Sequence, residues 1–234
     1  MDKRLLCIRH GDGPMDDRIT TWCGAHNVRL DVRRAWQGDD LGEVTDDLAG
    51  VVVYGGIYNA YDTDLHPFLR DEYRMIDAAM KADVPLLGIC QGAQMIAHHM
   101  GAWAGVPAHG SHEFGWYEVT PTEEGRDILP AAHHFAQAHF HTFDLPTGAR
   151  HIARSALFEN QAFAVGTRVV GFQFHPEQTV TGFMRWQTRG EGWGRYSEPG
   201  VQDRDTQTRL MLEHDAAQGA WFNGFLTGYF AGAL

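Results

Sequence analysis

The chain has 234 residues, 44% of them hydrophobic and 21% charged, which suits a globular protein of one large domain or two small ones at roughly 100–200 residues each. Its 19 basic and 30 acidic residues give a formal net charge of −11, which excludes a general nucleic-acid binder, because phosphate contacts need clustered Lys and Arg. No apolar run approaches the roughly 20 residues that cross a bilayer, the start Met1-Asp2-Lys3-Arg4 shows no secretory signal, and Cys7, Cys23 and Cys90 are too few for a disulfide framework, so a cytoplasmic protein with free thiols is expected.

Arg4 to His10 reads as a buried strand ending at Gly11-Asp12-Gly13. A helical pattern follows over Asp17 to Asn27, with Ile19, Trp22 and Cys23 on one side, and then a short strand, Val28 to Val32. Leu48 to Tyr54 is a β-branched run stopped by Gly55-Gly56, the pattern of a strand buried on both faces. Pro67 to Ala82 has apolar residues at helical spacing. Val84 to Ile89 is another buried strand, and Gln91 to Gly101 a helix. This alternation implies an α/β fold with a mostly parallel sheet. Ligands in such folds lie beyond the carboxyl ends of the strands, where Gly55-Gly56 and Cys90 both stand.

From Gly115 the pattern changes to shorter strands, Trp116 to Thr120, Ile152 to Ser155, Ala162 to Val165 and Val169 to Phe174, which suit a small antiparallel edge. Thr188 to Gly200 is rich in Gly and charge and reads as a loop. Val201 to Phe230 is helical, in one or two pieces. No second domain is evident: residues 1–190 form the expected domain, and residues 191–234 a loop and helical tail packed on it.

The most informative segment is Gly88-Ile89-Cys90-Gln91-Gly92-Ala93-Gln94, where a buried strand runs through Gly-x-Cys-x-Gly into a helix. A nucleophile on such a turn is pushed out of the sheet edge, and flanking glycines avoid collisions. The helix N-terminus favours a thiolate, and its free N–H groups, chiefly that of Gln91, can receive an oxyanion. A structural cysteine between packing glycines is the competing reading. Cys7, in mid-strand, and Cys23, on an apolar helix face, read as core.

A cysteine nucleophile needs a base, often oriented by a third group. Phe172-Gln173-Phe174-His175-Pro176-Glu177 ends an apolar strand in His-Pro-Glu, and proline stops the strand there. His175 would exchange the Cys90 proton, and Glu177 would accept from the other ring nitrogen. Gly55-Gly56 lets a backbone N–H approach the reacting carbonyl and complete the oxyanion hole; a turn needing positive φ demands the same residues. The pairs His98-His99, His133-His134 and His139/His141 lack the HExxH pattern and cysteine partners, so neither a metal nor another cofactor is expected.

These motifs resemble those of class I (triad) glutamine amidotransferases, in order and spacing, over residues 4–185. Gly88 to Gln94 resembles the family's nucleophile motif, Phe174-His175-Pro176-Glu177 its second triad motif, and Gly55-Gly56 with Tyr58, Tyr61 and Asp62 its oxyanion strand. Phe114-Gly115-Trp116 and Thr142-Phe143-Asp144-Leu145-Pro146 resemble the stand-alone GMP-synthase-like members. The resemblance implies a flavodoxin-like three-layer α/β/α sandwich, a Cys90–His175–Glu177 triad, and Gln94 beside the substrate. Ile57 stands where the family usually has proline, and Ala138-His139-Phe140-His141 where it usually reads Trp-His-Gly-Asp, so His139 matches the family's histidine in a site-flanking segment.

The function implied is hydrolysis of the glutamine side-chain amide to glutamate and ammonia through a glutamyl thioester. Residues 186–234 are too short for an ATP-dependent synthetase and no P-loop is present, which leaves the glutaminase half. Hydrolysis of another γ-glutamyl amide or small peptide, and a non-enzymatic interaction module, remain the alternatives. A separate synthetase subunit and a homodimer are the macromolecular partners left open.

Overall fold

The computed structural model describes residues 3–189 and 196–233. Residues 190–195 of the glycine-rich loop expected over 188–200, together with residues 1, 2 and 234, therefore lie outside the described residues. The first half alternates as β1 (Arg4–Ile8), α1 (Arg18–Ala25), β2 (Arg29–Arg33), β3 (Leu48–Val53), α2 (Leu69–Lys81), β4 (Leu86–Ile89) and α3 (Gln91–His99). The second half adds β5 (Ala104–Gly105), β6 (Glu113–Pro121), β7 (His133–His139), β8 (Thr142–Phe143), β9 (Arg150–Ser155), β10 (Ala162–Val165), β11 (Val169–Phe172), α4 (Val180–Thr188) and α5 (Arg204–Phe230).

Nine strands form one sheet in the order β2-β1-β3-β4-β11-β10-β9-β6-β7. The pairings from β2 through β11 are parallel, and those from β11 through β7 antiparallel. β5 and β8 form a separate two-stranded antiparallel sheet. Side chains of a strand alternate between faces, and here both faces are apolar. Leu5, Cys7, Val52, Leu87 and Ile89 pack with Ile19 and Trp22 of α1 and Phe222, Leu226 and Phe230 of α5. Leu6, Ile8, Val51, Val53 and Leu86 pack on the other side with Met75 and Ile76 of α2 and Met95 and Ile96 of α3. The result is an α/β fold, a flavodoxin-like three-layer sandwich.

Two features of this architecture set the site. The first is the seating of α3. A Cβ at Gly92 would fall inside the contact distance of the Val53 carbonyl, and one at Gly88 would lie 2.7 Å from Gly92 O. Helix and sheet therefore meet backbone to backbone, which only glycine allows. The second is α5, a single helix of 27 residues. Its capping residue Asp203 accepts from the Thr206 N–H. Tyr229 on α5 donates to the Leu86 carbonyl at the start of β4. Its Gln218 is fully buried. The Gln218 side chain accepts from the Ala136 N–H at 2.8 Å and donates to the Gln178 carbonyl at 3.0 Å, tying β7 to the turn after β11.

Gly92→Ala is expected to cost about 3 kcal/mol, because the obstructing atom belongs to backbone, read as a lower urea midpoint at unchanged slope. Gln218→Leu strands the buried Ala136 N–H and the part-buried Gln178 carbonyl and is expected to cost roughly 2 kcal/mol in the same measurement. A parental midpoint for either variant would contradict the packing argument behind it.

Candidate functional site

Cys90 lies between β4 and α3 with φ 52° and ψ −109°, a backbone region costly for a residue with a Cβ, of order 1–3 kcal/mol. The turn is held on both sides: the Cys90 N–H donates to the Phe172 carbonyl of β11 at 2.7 Å, and its carbonyl accepts from the Gln94 N–H at 3.1 Å. The first N–H groups of α3 have no partner within the helix, and Gln91 opens that helix beside the thiol. Cys7 and Cys23 are buried in the core. Burial pushes the Cys7 thiol well up and Cys23 to about 12, which makes both poor nucleophiles.

The parallel neighbour β11 carries His175 to the same end of the sheet. Its Nδ1 lies 2.8 Å from Glu177 Oε1, and its ring hydrogen-bonds with the Cys90 side chain. Burial opposes a charge on His175, but Glu177 and Cys90 outweigh it and push the imidazole up to about 10. The Trp186 ring of α4 stands edge-on to His175, with ring centroids 4.8 Å apart. The turn that carries the pair is anchored by its backbone: the His175 N–H donates to the Ala136 carbonyl at 2.8 Å, and the Arg18 N–H donates to the Glu177 carbonyl at 2.9 Å.

Gly55 and Gly56 follow β3, on the other side of β4, and reach the same point. A Cβ at Gly55 would lie 2.8 Å from His175 Cε1 and 3.2 Å from Cys90 Cβ, so any side chain there would fill the space over the thiol and the imidazole. The Gln91 side chain accepts from the Tyr58 N–H at 2.9 Å and holds the far end of this turn. Cys90, His175, Glu177, Gly55, Gly56 and Gln91 thus converge. Gln94 and His139 stand one layer further out. Gln94 donates to the side-chain oxygen of Gln173 at 3.1 Å. His139 is committed on both ring nitrogens, to the His141 carbonyl at 2.9 Å and Glu113 at 3.0 Å.

Two cavities meet at Cys90. One, of about 190 Å³, lies on the side of His175, Tyr54 and Trp186; the other, of about 40 Å³, lies on the side of Gln94, Asn59 and His139. A larger cleft of about 580 Å³, between Tyr61, His98 and Trp103, holds no nucleophile, so chemistry rather than volume locates the site. Among the described residues no group of three or more His, Cys, Asp or Glu is placed to hold a metal ion, and no helix is long and apolar enough to cross a membrane.

Three contributors do not stand out in the sequence. Gln173 donates to Cys90 Sγ at 3.6 Å; its signal is a polar residue inside an apolar strand end. His10 and Glu72 form a fully buried pair at 2.8 Å beneath Gly56; they are 62 residues apart and carry no local signal. Gln218 supports the His175 turn from α5, where its signal is one polar residue on an apolar helix face.

The chain is 29% identical over 210 residues to the putative glutamine amidotransferase-like protein YfeJ of Salmonella typhimurium, a match covering 86% of this chain and 82% of that one. It is 31% identical over 133 residues to the glutamine-hydrolysing GMP synthase of Porphyromonas gingivalis, covering 55% of this chain but only 24% of the longer protein. The crystal structure of a glutamine amidotransferase from Thermotoga maritima has a TM-score of 0.87 at 27% identity, with 98% of this chain and 99% of that one covered. The family model for class-I glutamine amidotransferases matches residues 23–185, well over half of the chain, and the chain belongs to that family.

Proposed function

We propose that the protein hydrolyses the side-chain amide of glutamine to glutamate and ammonia, with Cys90 as nucleophile, His175 as acid and base, and Glu177 orienting His175. The observation that carries this reading is the strained Cys90 turn facing an imidazole that bonds Glu177 at 2.8 Å. Cys90 Sγ forms a bond to the amide carbon, and the oxyanion is received by the N–H groups of Gln91 and the Gly55-Gly56 turn. The C–N bond then breaks, and the nitrogen leaves as ammonia with the proton from His175. The neutral imidazole takes a proton from water, hydroxide adds to the thioester, and the C–S bond breaks to release glutamate. The upward shift of His175 supports its part, since the proton needed by the leaving nitrogen is already on the ring at neutral pH.

The Gln94 and His139 side of the cleft suits the glutamyl portion, because His175 borders the opposite side and must face the leaving nitrogen. We also propose that α5 belongs to the amidotransferase unit, since Gln218 braces the turn that carries the triad. A separate synthetase subunit is the proposed receiver of the ammonia; the likeness to part of a GMP synthase supports that use of the product.

Purified protein given glutamine is expected to release ammonia and glutamate in equal amounts, and Cys90→Ala is expected to fall to background. Equal rates in the two would remove the proposal, and turnover of γ-glutamyl amides with none on glutamine would replace it with a γ-glutamyl hydrolase. Glu177→Gln withdraws an anion that raises His175, so the ring loses its proton at lower pH. The alkaline limb of kcat/KM is expected to move down by about one unit or more, and an unmoved limb would deny Glu177 that role.

A further inference from the structure

The Gly55-Gly56 turn is held at its far end by Gln91, and its near end meets a pair that the triad chemistry does not use. His10, just past β1, and Glu72, on α2, have fully buried side chains. His10 Nδ1 lies 3.1 Å from the Tyr54 carbonyl, and its Nε2 lies 2.8 Å from Glu72 Oε2. A carbonyl oxygen only accepts, so Nδ1 carries a hydrogen. The Nε2–Oε2 contact then needs a second proton, carried by His10 or by Glu72.

Tyr54 supplies the carbonyl, and Gly55 the N–H, of one peptide unit. In a trans peptide these two groups point in opposite directions, and among the described residues no peptide is cis. The bond from His10 therefore holds the Gly55 N–H on the side of the plane away from His10. The fit is close: a Cβ at Gly56 would run into His10 Cβ and lie 2.6 Å from Gln91 Oε1. Glu72 Oε1 has no hydrogen-bond partner among the described residues. The carboxylate's one polar contact is thus the histidine.

We propose that His10 and Glu72 are a positioning pair for the oxyanion turn: Glu72 holds His10 with its Nδ1–H on the Tyr54 carbonyl, and that bond sets the orientation of the Gly55 peptide over Cys90. The inference rests on the amide-hydrolysis reading above. It concerns neither the nucleophile nor the acid. Loss of the pair lowers the rate of tetrahedral-intermediate formation and leaves the thiol's own reactivity intact.

Four variants test it with glutamine as substrate and iodoacetamide as probe of Cys90, since alkylation forms no oxyanion. The amide nitrogen of Gln reaches the place of Nε2, and that of Asn the place of Nδ1. His10→Gln, which loses the bond to Tyr54, is expected to lower kcat roughly 10- to 100-fold, short of the full loss of an oxyanion donor. KM and the alkylation rate should stay within about threefold of the parent. His10→Asn keeps a donor to Tyr54 and is expected to recover most of that loss. Glu72→Leu is expected to behave as His10→Gln, and Glu72→Gln, whose amide donates to a neutral His10 Nε2, to recover most of the loss. Should the His10 variants fail to fold by thermal melting, the Glu72 pair decides. Equal losses within either pair, or alkylation falling in step with kcat, overturns the proposal. A parent that releases no ammonia overturns the underlying reading instead, while a fully active His10→Gln overturns only the positioning pair.

Discussion

The backbone of Cys90 is the constraint on which the rest of the site depends. A residue with a Cβ held at φ 52° does not stay there unless its surroundings over-determine it. Three elements do so here. β11 takes the Cys90 N–H, the first turn of α3 takes its carbonyl, and Gly92 lets the helix close against the Val53 carbonyl of β3. The strain is local, and the means of holding it are spread over adjacent parallel strands. Those strands also deliver Gly55 and His175 on either side of the thiol. Their order β3-β4-β11 therefore sets the sideways order of the Gly55-Gly56 turn, Cys90 and His175.

The antiparallel half of the sheet and the last helix hold His175 in place. A histidine just past a strand end, followed by proline, has few hydrogen bonds of its own to keep it still. The turn borrows them: from β7 through Ala136, from the start of α1 through Arg18, and from α5 through Gln218. β7 is in turn supported from below by a buried polar cluster. In it Glu113 accepts from Ser155 at 2.7 Å and Gln161 at 2.7 Å and lies 3.0 Å from His139. Such networks rigidify when fully satisfied. His139, which lines the smaller cavity, is fixed there by Glu113 and the His141 carbonyl.

What could be read from the sequence follows from how local each demand is. The Cys90 turn announces itself because all its requirements fall within one short stretch: an apolar strand, two glycines and a helix start. His175-Pro176-Glu177 is legible for the same reason. β7 escapes notice because His133-His134-Phe135-Ala136-Gln137-Ala138-His139 shows no apolar alternation. Gln137 and His139 are buried there through hydrogen bonds rather than hydrophobicity. His10, Glu72 and Gln218 escape for a different reason. Each meets its partner only after the sheet and helices are assembled, so no spacing in the chain encodes the contact. α5 was legible as a helix but not as a brace, because one glutamine on an apolar face carries no signal of what it will bond.

The buried polar groups also show where stability has been given up. Glu177 Oε2, Asp17 Oδ2 and Glu72 Oε1 are buried without hydrogen-bond partners among the described residues. Each belongs to a group close to the site: Glu177 Oε1 lies 2.8 Å from His175 Nδ1, Asp17 accepts from the Tyr54 hydroxyl at 3.2 Å, and Glu72 meets His10. Buried acceptors without a hydrogen bond cost roughly 1–3 kcal/mol each, a cost that the ion pair of Asp17 Oδ2 with Arg9 Nη1 at 3.7 Å offsets in part. Burial correspondingly raises the Asp17 carboxyl above its usual range. Of the three carboxyl groups, Glu177 is the one that bonds His175, and with Cys90 it raises that ring.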